Sequence, residues 1–188
     1  MKLLIIDNYD SFTYNLVQLV REAGKESWLL VKNDALNSVK AADFDKVLIS
    51  PGPGLAHEAG DLMPFIQHYK SQKSFLGVCL GFEALVQSYG GVLSPLPFPL
   101  HGIQNQGKIV SEDAVFSGLP GRFAIGHYHS WYVKNEDLPV ALEATLKDEQ
   151  NMIMAFRHQI HDVRGLLFHP ESYMTEFGSR MIANWLAE

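Results

Sequence analysis

The sequence contains one cysteine in 188 residues. No disulfide can form within the chain, and a reducing cytoplasm is the expected setting. It also lacks any run of positive charge. Lys and Arg number 15 against 21 Asp and Glu, a formal net charge of −6, which argues against nucleic acid as a partner because phosphate contacts supply most of that affinity. No apolar run approaches the roughly 20 residues needed to cross a bilayer, so no membrane partner is expected. The apolar stretch after Met1 meets Asp7 too soon for a signal peptide. Repeats and low-complexity tracts are absent. The glycine-rich loop Ser50-Pro51-Gly52-Pro53-Gly54 has neither the lysine of a phosphate loop nor dinucleotide-binding spacing. The histidine pairs His127/His129 and His158/His161 come without the cysteine or carboxylate spacing of a zinc site. No metal or cofactor is therefore expected.

What is present is an ordinary globular balance, 47% hydrophobic and 19% charged. The length suggests one domain over residues 1–188. Apolar runs at Lys2–Asp7, Trp28–Val31, Lys46–Ile49 and Ser74–Val78 read as buried strands. Between them lie helical patterns: one after Ser11, which can act as its cap, one over Leu62–Lys70 and one over Leu80–Tyr89. This βαβ rhythm predicts an α/β fold, an open and mostly parallel sheet with helices on both faces. The second half predicts a smaller antiparallel β portion, with short strands near Lys108–Val110, Phe123–Ile125, Trp131–Val133, Ala141–Leu146 and Met152–Phe156. Gly165–Phe168 reads as a return to the main sheet, Phe177–Leu186 as a terminal amphipathic helix, and Pro95–Pro99 as the most loop-like stretch.

The lone cysteine stands in Gly77-Val78-Cys79-Leu80-Gly81, between an apolar strand and a helix. A nucleophile framed by glycines at such a junction is projected on a sharp turn. The helix N-terminus favours the thiolate and supplies N–H groups for an oxyanion. A buried, inert thiol is the plainer alternative, and the residues alone weigh the two evenly. A cysteine nucleophile needs a base and the base an orienting group. His169-Pro170-Glu171 supplies both after the strand Gly165–Phe168, at the sheet edge where sites of open parallel sheets form. Ser50–Gly54 and Asp7–Thr13 follow strands of the same sheet and fall on that edge.

Taken together, Asp7–Asn15, Ser50–Gly54 with Ala59-Gly60, Gly77–Gly81, Tyr128-His129-Ser130 and Phe168–Ser172 give the chain its family likeness. It resembles the class I (triad) glutamine amidotransferases, and among them the small subunits of anthranilate synthase and para-aminobenzoate (aminodeoxychorismate) synthase. The resemblance runs nearly end to end. It implies that Cys79 attacks the side-chain amide of L-glutamine, with His169 as base and then acid and Glu171 orienting it. It places Gly52, Gly54, Leu80, Glu83, Ser130 and Trp131 at the oxyanion and substrate, and ammonia passes to a large subunit that aminates chorismate. Where the family has His-Gln after Cys-Leu-Gly, this chain has Phe82-Glu83, and Trp131 replaces the usual leucine. A stand-alone γ-glutamyl amide hydrolase and a non-catalytic scaffold subunit of the same fold are the alternative readings.

Overall fold

The computed structural model describes residues 2–188. Five strands run parallel: β1 (Leu3–Asp7), β2 (Trp28–Lys32), β3 (Lys46–Ile49), β4 (Ser74–Val78) and, far along the chain, β9 (Val163–Leu166). Every residue of β1, β3 and β4 is buried. Such two-sided burial is why these strands read as continuous apolar runs rather than alternating ones. Helix α1 (Thr13–Glu22) links β1 to β2, α2 (Leu62–Tyr69) links β3 to β4, and α3 (Leu80–Ser88) follows β4. From β1 the chain steps to β2 on one side, whereas β3 and β4 continue on the other. Right-handed crossovers in opposite directions put helices on opposite faces, so α1 and the last helix, α4 (Gly178–Ala187), share one face and α2 and α3 the other. Helix α3 is buried from Leu80 through Val86, as a helix sandwiched between sheet and helix must be.

Ser11 does not cap α1. The side chain of Asp10 accepts the Phe12 N–H instead (2.8 Å), and Asp7 Oδ1 accepts from Thr13 Oγ1 (3.0 Å). The helix starts at Thr13 with Phe12 as its N-cap, so Ser11 lies one residue too early to serve it.

The antiparallel half extends the same sheet. Strands β5 (Leu93–Ile109), β6 (Arg122–Val133), β7 (Leu142–Asp148) and β8 (Ile153–His158) complete nine strands in the order β2-β1-β3-β4-β9-β8-β7-β5-β6. The return to the main sheet is β9, inserted between β4 and β8. Pro95–Pro99, expected as loop, lies inside β5, where pairing with β6 slips between Pro95 and Leu100. Proline offers no N–H to a ladder and survives only at bulges and free edges. Both conditions hold here, because β5 meets β7 only at Gly107–Ile109. Among the described residues no helix is long and apolar enough to cross a membrane.

Strand β6 carries two histidines into the interior. His127 is 0% and His129 3% exposed, with His127 Nδ1 and His129 Nε2 3.0 Å apart. The Trp131 carbonyl, which can only accept, lies 2.8 Å from His129 Nδ1. His129 therefore donates from Nδ1 and accepts at Nε2 from His127, so both rings are neutral. Burial pulls each pKa down to about 4. The unfolded chain, with histidines near 6.5, binds more protons in the window between those values, so this pair loses stability as pH falls from 6.5 to 4. Thermal denaturation midpoints should drop across that window, and the slope should be shallower in His127→Gln, which removes one of the two titrating rings. Parallel slopes would refute the assignment.

Candidate functional site

The C-terminal ends of β1, β3, β4 and β9 share one edge of the sheet because the strands are parallel. The loops on that edge are tied to one another. Asn8 donates its backbone N–H to Ser50 Oγ (2.9 Å) and its amide to the Ser50 carbonyl (2.8 Å), while Asn33 donates to Asn8 Oδ1 (3.0 Å). All of these bonds are buried, so the loops after β1 and β3 hold a fixed relation. The conspicuous Asp7–Thr13 motif is thus chiefly scaffolding, apart from Asp10.

Cys79 sits between β4 and α3 with φ 51° and ψ −103°. A non-glycine residue with positive φ costs about 1–3 kcal/mol and persists only where its surroundings impose it. Here the imposition is steric. A β-carbon on Gly77 would lie 2.4 Å from the backbone carbonyl carbon and oxygen of Gly81, and one on Gly81 would lie 2.9 Å from Ile49. The helix therefore starts directly against the sheet, and the chain can turn only at Cys79. Its sulfur lies 3.8 Å from the Tyr128 carbonyl, an acceptor for the thiol, and the Leu80 N–H hydrogen-bonds the sulfur. Burial, followed by the charges of Glu83, Glu171 and Asp10, raises the thiol pKa well above its ordinary value, against the opposing Leu80 bond. The unliganded site thus holds a thiol, and ionising it requires a proton acceptor.

His169 and Glu171 follow β9. Nδ1 of His169 lies 2.6 Å from Glu171 Oε1, and both side chains are buried. With the carboxylate accepting at Nδ1, the neutral ring presents a bare lone pair at Nε2, and that atom has no hydrogen-bond partner among the described residues. The ring packs on Tyr128 and Phe12, with centroids 4.9 and 5.4 Å away. The segment after β9 is also laced to the free edge of β6. His169 N–H donates to the Gly126 carbonyl (3.2 Å), Thr175 Oγ1 accepts from Gly126 N–H (3.0 Å), and Glu176 exchanges bonds with Ala124.

A cavity of about 450 Å³ opens beside Cys79. Of the residues expected at the substrate, Gly52, Gly54, Glu83, Ser130 and Trp131 line it with the cysteine. Leu80 contributes its N–H to the sulfur instead. His169 is not among the lining side chains; it adjoins through Tyr128, which is. Sequence reasoning missed Asp10 and the Tyr128 carbonyl. Asp10 was detectable only as one more acid in a loop on the correct edge, and a backbone carbonyl leaves no residue-type signature. His158 Nδ1 accepts from the N–H groups of Ile160 and His161 (3.0 and 2.9 Å), a turn-stabilising role. Among the described residues no cluster of His, Cys, Asp and Glu is arranged to hold a metal.

The segment that carries His169 and Glu171 packs at Pro170 directly against Gly178, at the start of α4. A β-carbon there would stand 1.7 Å from the Pro170 carbonyl oxygen. Gly178→Ala gains up to about 1 kcal/mol of helix propensity but forces the helix off Pro170. It should lower stability by about 2–3 kcal/mol net of that gain, read by urea denaturation. A neutral or stabilising result would show that the contact is slack.

Known proteins resemble this chain in sequence and fold. The family model of class-I glutamine amidotransferases matches residues 4–188. Anthranilate synthase component 2 of Thermus thermophilus is 41% identical over 197 residues, covering 100% of this chain and 93% of the relative. The aminodeoxychorismate/anthranilate synthase component 2 of Bacillus subtilis is 39% identical over 191 residues, covering 98% and 95%. A glutamine amidotransferase structure from Thermotoga maritima superposes with a TM-score of 0.76 at 18% identity, over 100% of this chain and 81% of that one. The fold is therefore retained where most side chains differ, and with a family match spanning nearly every residue the chain belongs to the class-I glutamine amidotransferases.

Proposed function

We propose that this chain is the glutaminase component of a chorismate-aminating synthase. The observation that carries the reading is the buried Cys79 elbow beside a cavity, with the His169–Glu171 pair adjoining through Tyr128. Cys79 gives its proton to His169 Nε2 and its sulfur attacks the δ-carbon of L-glutamine. The Leu80 N–H, with that of Gly54 from the facing loop, stabilises the oxyanion of the tetrahedral intermediate. His169 returns the proton to the departing nitrogen, the C–N bond breaks, and ammonia leaves a γ-glutamyl thioester. Water then attacks the thioester, giving its proton to His169. Glutamate departs and the sulfur regains a proton from His169. Glu171 keeps the imidazole in the Nδ1–H tautomer throughout and balances its transient charge. Gly52, Ser130 and Trp131 hold the amino-acid end of the substrate.

The partner is a large synthase subunit that receives the ammonia and aminates chorismate, a reading supported by relatives named as component 2 of such synthases. One is named for anthranilate and one for both products, so the amidotransferase step is common to both. The raised thiol pKa fits a component that works within a complex. Acidic neighbours and burial hold the resting site in its unreactive form.

The test mixes the purified chain with each type of large subunit, chorismate and glutamine, and identifies the product by mass and fluorescence. Anthranilate, aminodeoxychorismate or both should form. Cys79→Ala should lower glutamine-dependent synthesis by about 10³-fold or more, the scale of losing a covalent nucleophile, and leave ammonia-dependent synthesis intact. Equal loss of both activities would make Cys79 structural. Fast glutamine hydrolysis without any partner would favour a stand-alone hydrolase.

A further inference from the structure

Glu83 is a buried acid that no contact within the protein explains. It stands one helical turn after Cys79, its backbone N–H bonding the Cys79 carbonyl (3.0 Å), and its side chain lines the same cavity. Only 3% of the residue is exposed, and its carboxyl, which opens onto the cavity, makes no hydrogen bond or ion pair among the described residues. No lysine or arginine lines the cavity with it. Asp10 comes from the loop after β1, Glu58 from the turn after β3, His127 and His129 from β6, and His169 and Glu171 from the segment after β9. Lys70 on α2 reaches α3 only at the Ser88 carbonyl, the far end of the helix. An ionised carboxylate held there without a cation is unfavourable, and it is relieved when the group stays protonated or meets a ligand.

We propose that Glu83 is a specificity-determining residue that serves the amide donor as a carboxylic acid, and that loss of its proton closes the site on the alkaline side. The inference rests on the glutaminase reading above and concerns how this chain recognises its donor. A protonated carboxyl offers one hydroxyl donor and one carbonyl acceptor, the two kinds of group a carboxamide would present there. It can donate to the carboxylate of an amino-acid substrate and leave the cavity without added charge. The ionised form only accepts, repels that carboxylate, and adds a negative charge one turn from the sulfur. Burial supports the protonated form, raising the Glu83 pKa to about 8. The Glu83 charge is also the largest contribution after burial to the raised thiol pKa.

Two measurements test the proposal. Cys79 is the only cysteine, so iodoacetamide alkylation reports its thiolate without ambiguity. Glu83→Gln should be alkylated about five-fold faster or more than the natural chain at pH 9, because a shift of one unit in the thiol pKa is worth up to tenfold in thiolate. Equal or slower labelling of the variant overturns the proposal. In the complex with its large subunit, kcat/KM for glutamine should fall in the natural protein above pH 8, and the ratio of Glu83→Gln to natural protein should rise at least about five-fold from pH 7 to pH 9. Turnover with parallel pH profiles overturns the role of Glu83 and leaves the glutaminase reading standing. No glutamine turnover by the natural protein at any pH overturns the glutaminase reading, and donor recognition by Glu83 with it. The natural protein's own alkaline limb is measurable whether or not the variant folds, and a flat limb to pH 9.5 overturns the proposal by itself.

Discussion

The site depends on how closely α3 can approach the sheet. Gly77 and Gly81 remove the two side chains that would otherwise separate helix from strand, and Ile49 of the neighbouring strand fills the space up to the backbone. With no room to turn gradually, the chain reverses at one residue, and Cys79 takes the left-handed conformation that aims its sulfur at the sheet edge. The strain is local, and the buried apolar contacts on both sides of the turn sustain it: Val78, Leu80, Phe82, Ala84, Leu85 and Val86 are all in the core. The same approach sets the helix N-terminus at the sulfur, so the conformation that places the thiol beside the cavity also supplies the Leu80 donor.

A second constraint is electrostatic. The elbow favours thiolate through its hydrogen bond and helix terminus, but burial and three acidic neighbours outweigh that preference. The net direction is toward thiol, and the proposed mechanism therefore calls on the bare Nε2 of His169. A neutral imidazole held by a carboxylate accepts a proton without creating a lone buried charge, since the resulting imidazolium is already paired with Glu171.

Much of this was legible in the sequence, for identifiable reasons. The parallel strands announced themselves because burial on both faces leaves no polar alternation, and the Cys79 elbow because only glycine satisfies its flanks. His169-Pro170-Glu171 was legible because its members are adjacent in sequence. The failures have equally specific causes. The prolines of β5 signal a break, but a strand with one free edge tolerates them, and edge status is a property of the sheet rather than of the segment. Ser11 stands one residue before the N-cap, Phe12, so it does not reach the first turn of α1. Glu83 was visible as a departure from the family pattern, but its burial and lack of a partner are tertiary facts. The neutral pair His127 and His129 resembled a weak metal motif until the Trp131 carbonyl fixed its tautomers.

The antiparallel half also has a task that topology makes plain. Strand β6 ends the sheet, and its unpaired edge would be open to unwanted strand addition. The segment from His169 to Glu176 closes that edge with backbone and side-chain bonds to Gly126 and Ala124. That closure brings the imidazole against Tyr128, and the next residues of β6, His129 to Trp131, form the cavity wall facing Cys79. The parallel half therefore positions the sulfur, and the antiparallel half positions the wall across from it. The imidazole is fixed where the two halves are stitched together. A disturbance at that seam, such as a wider turn at Pro170 or a lost bond at Gly126, moves the imidazole relative to both sulfur and wall. The strands themselves would remain in place, so the site can fail while the fold survives.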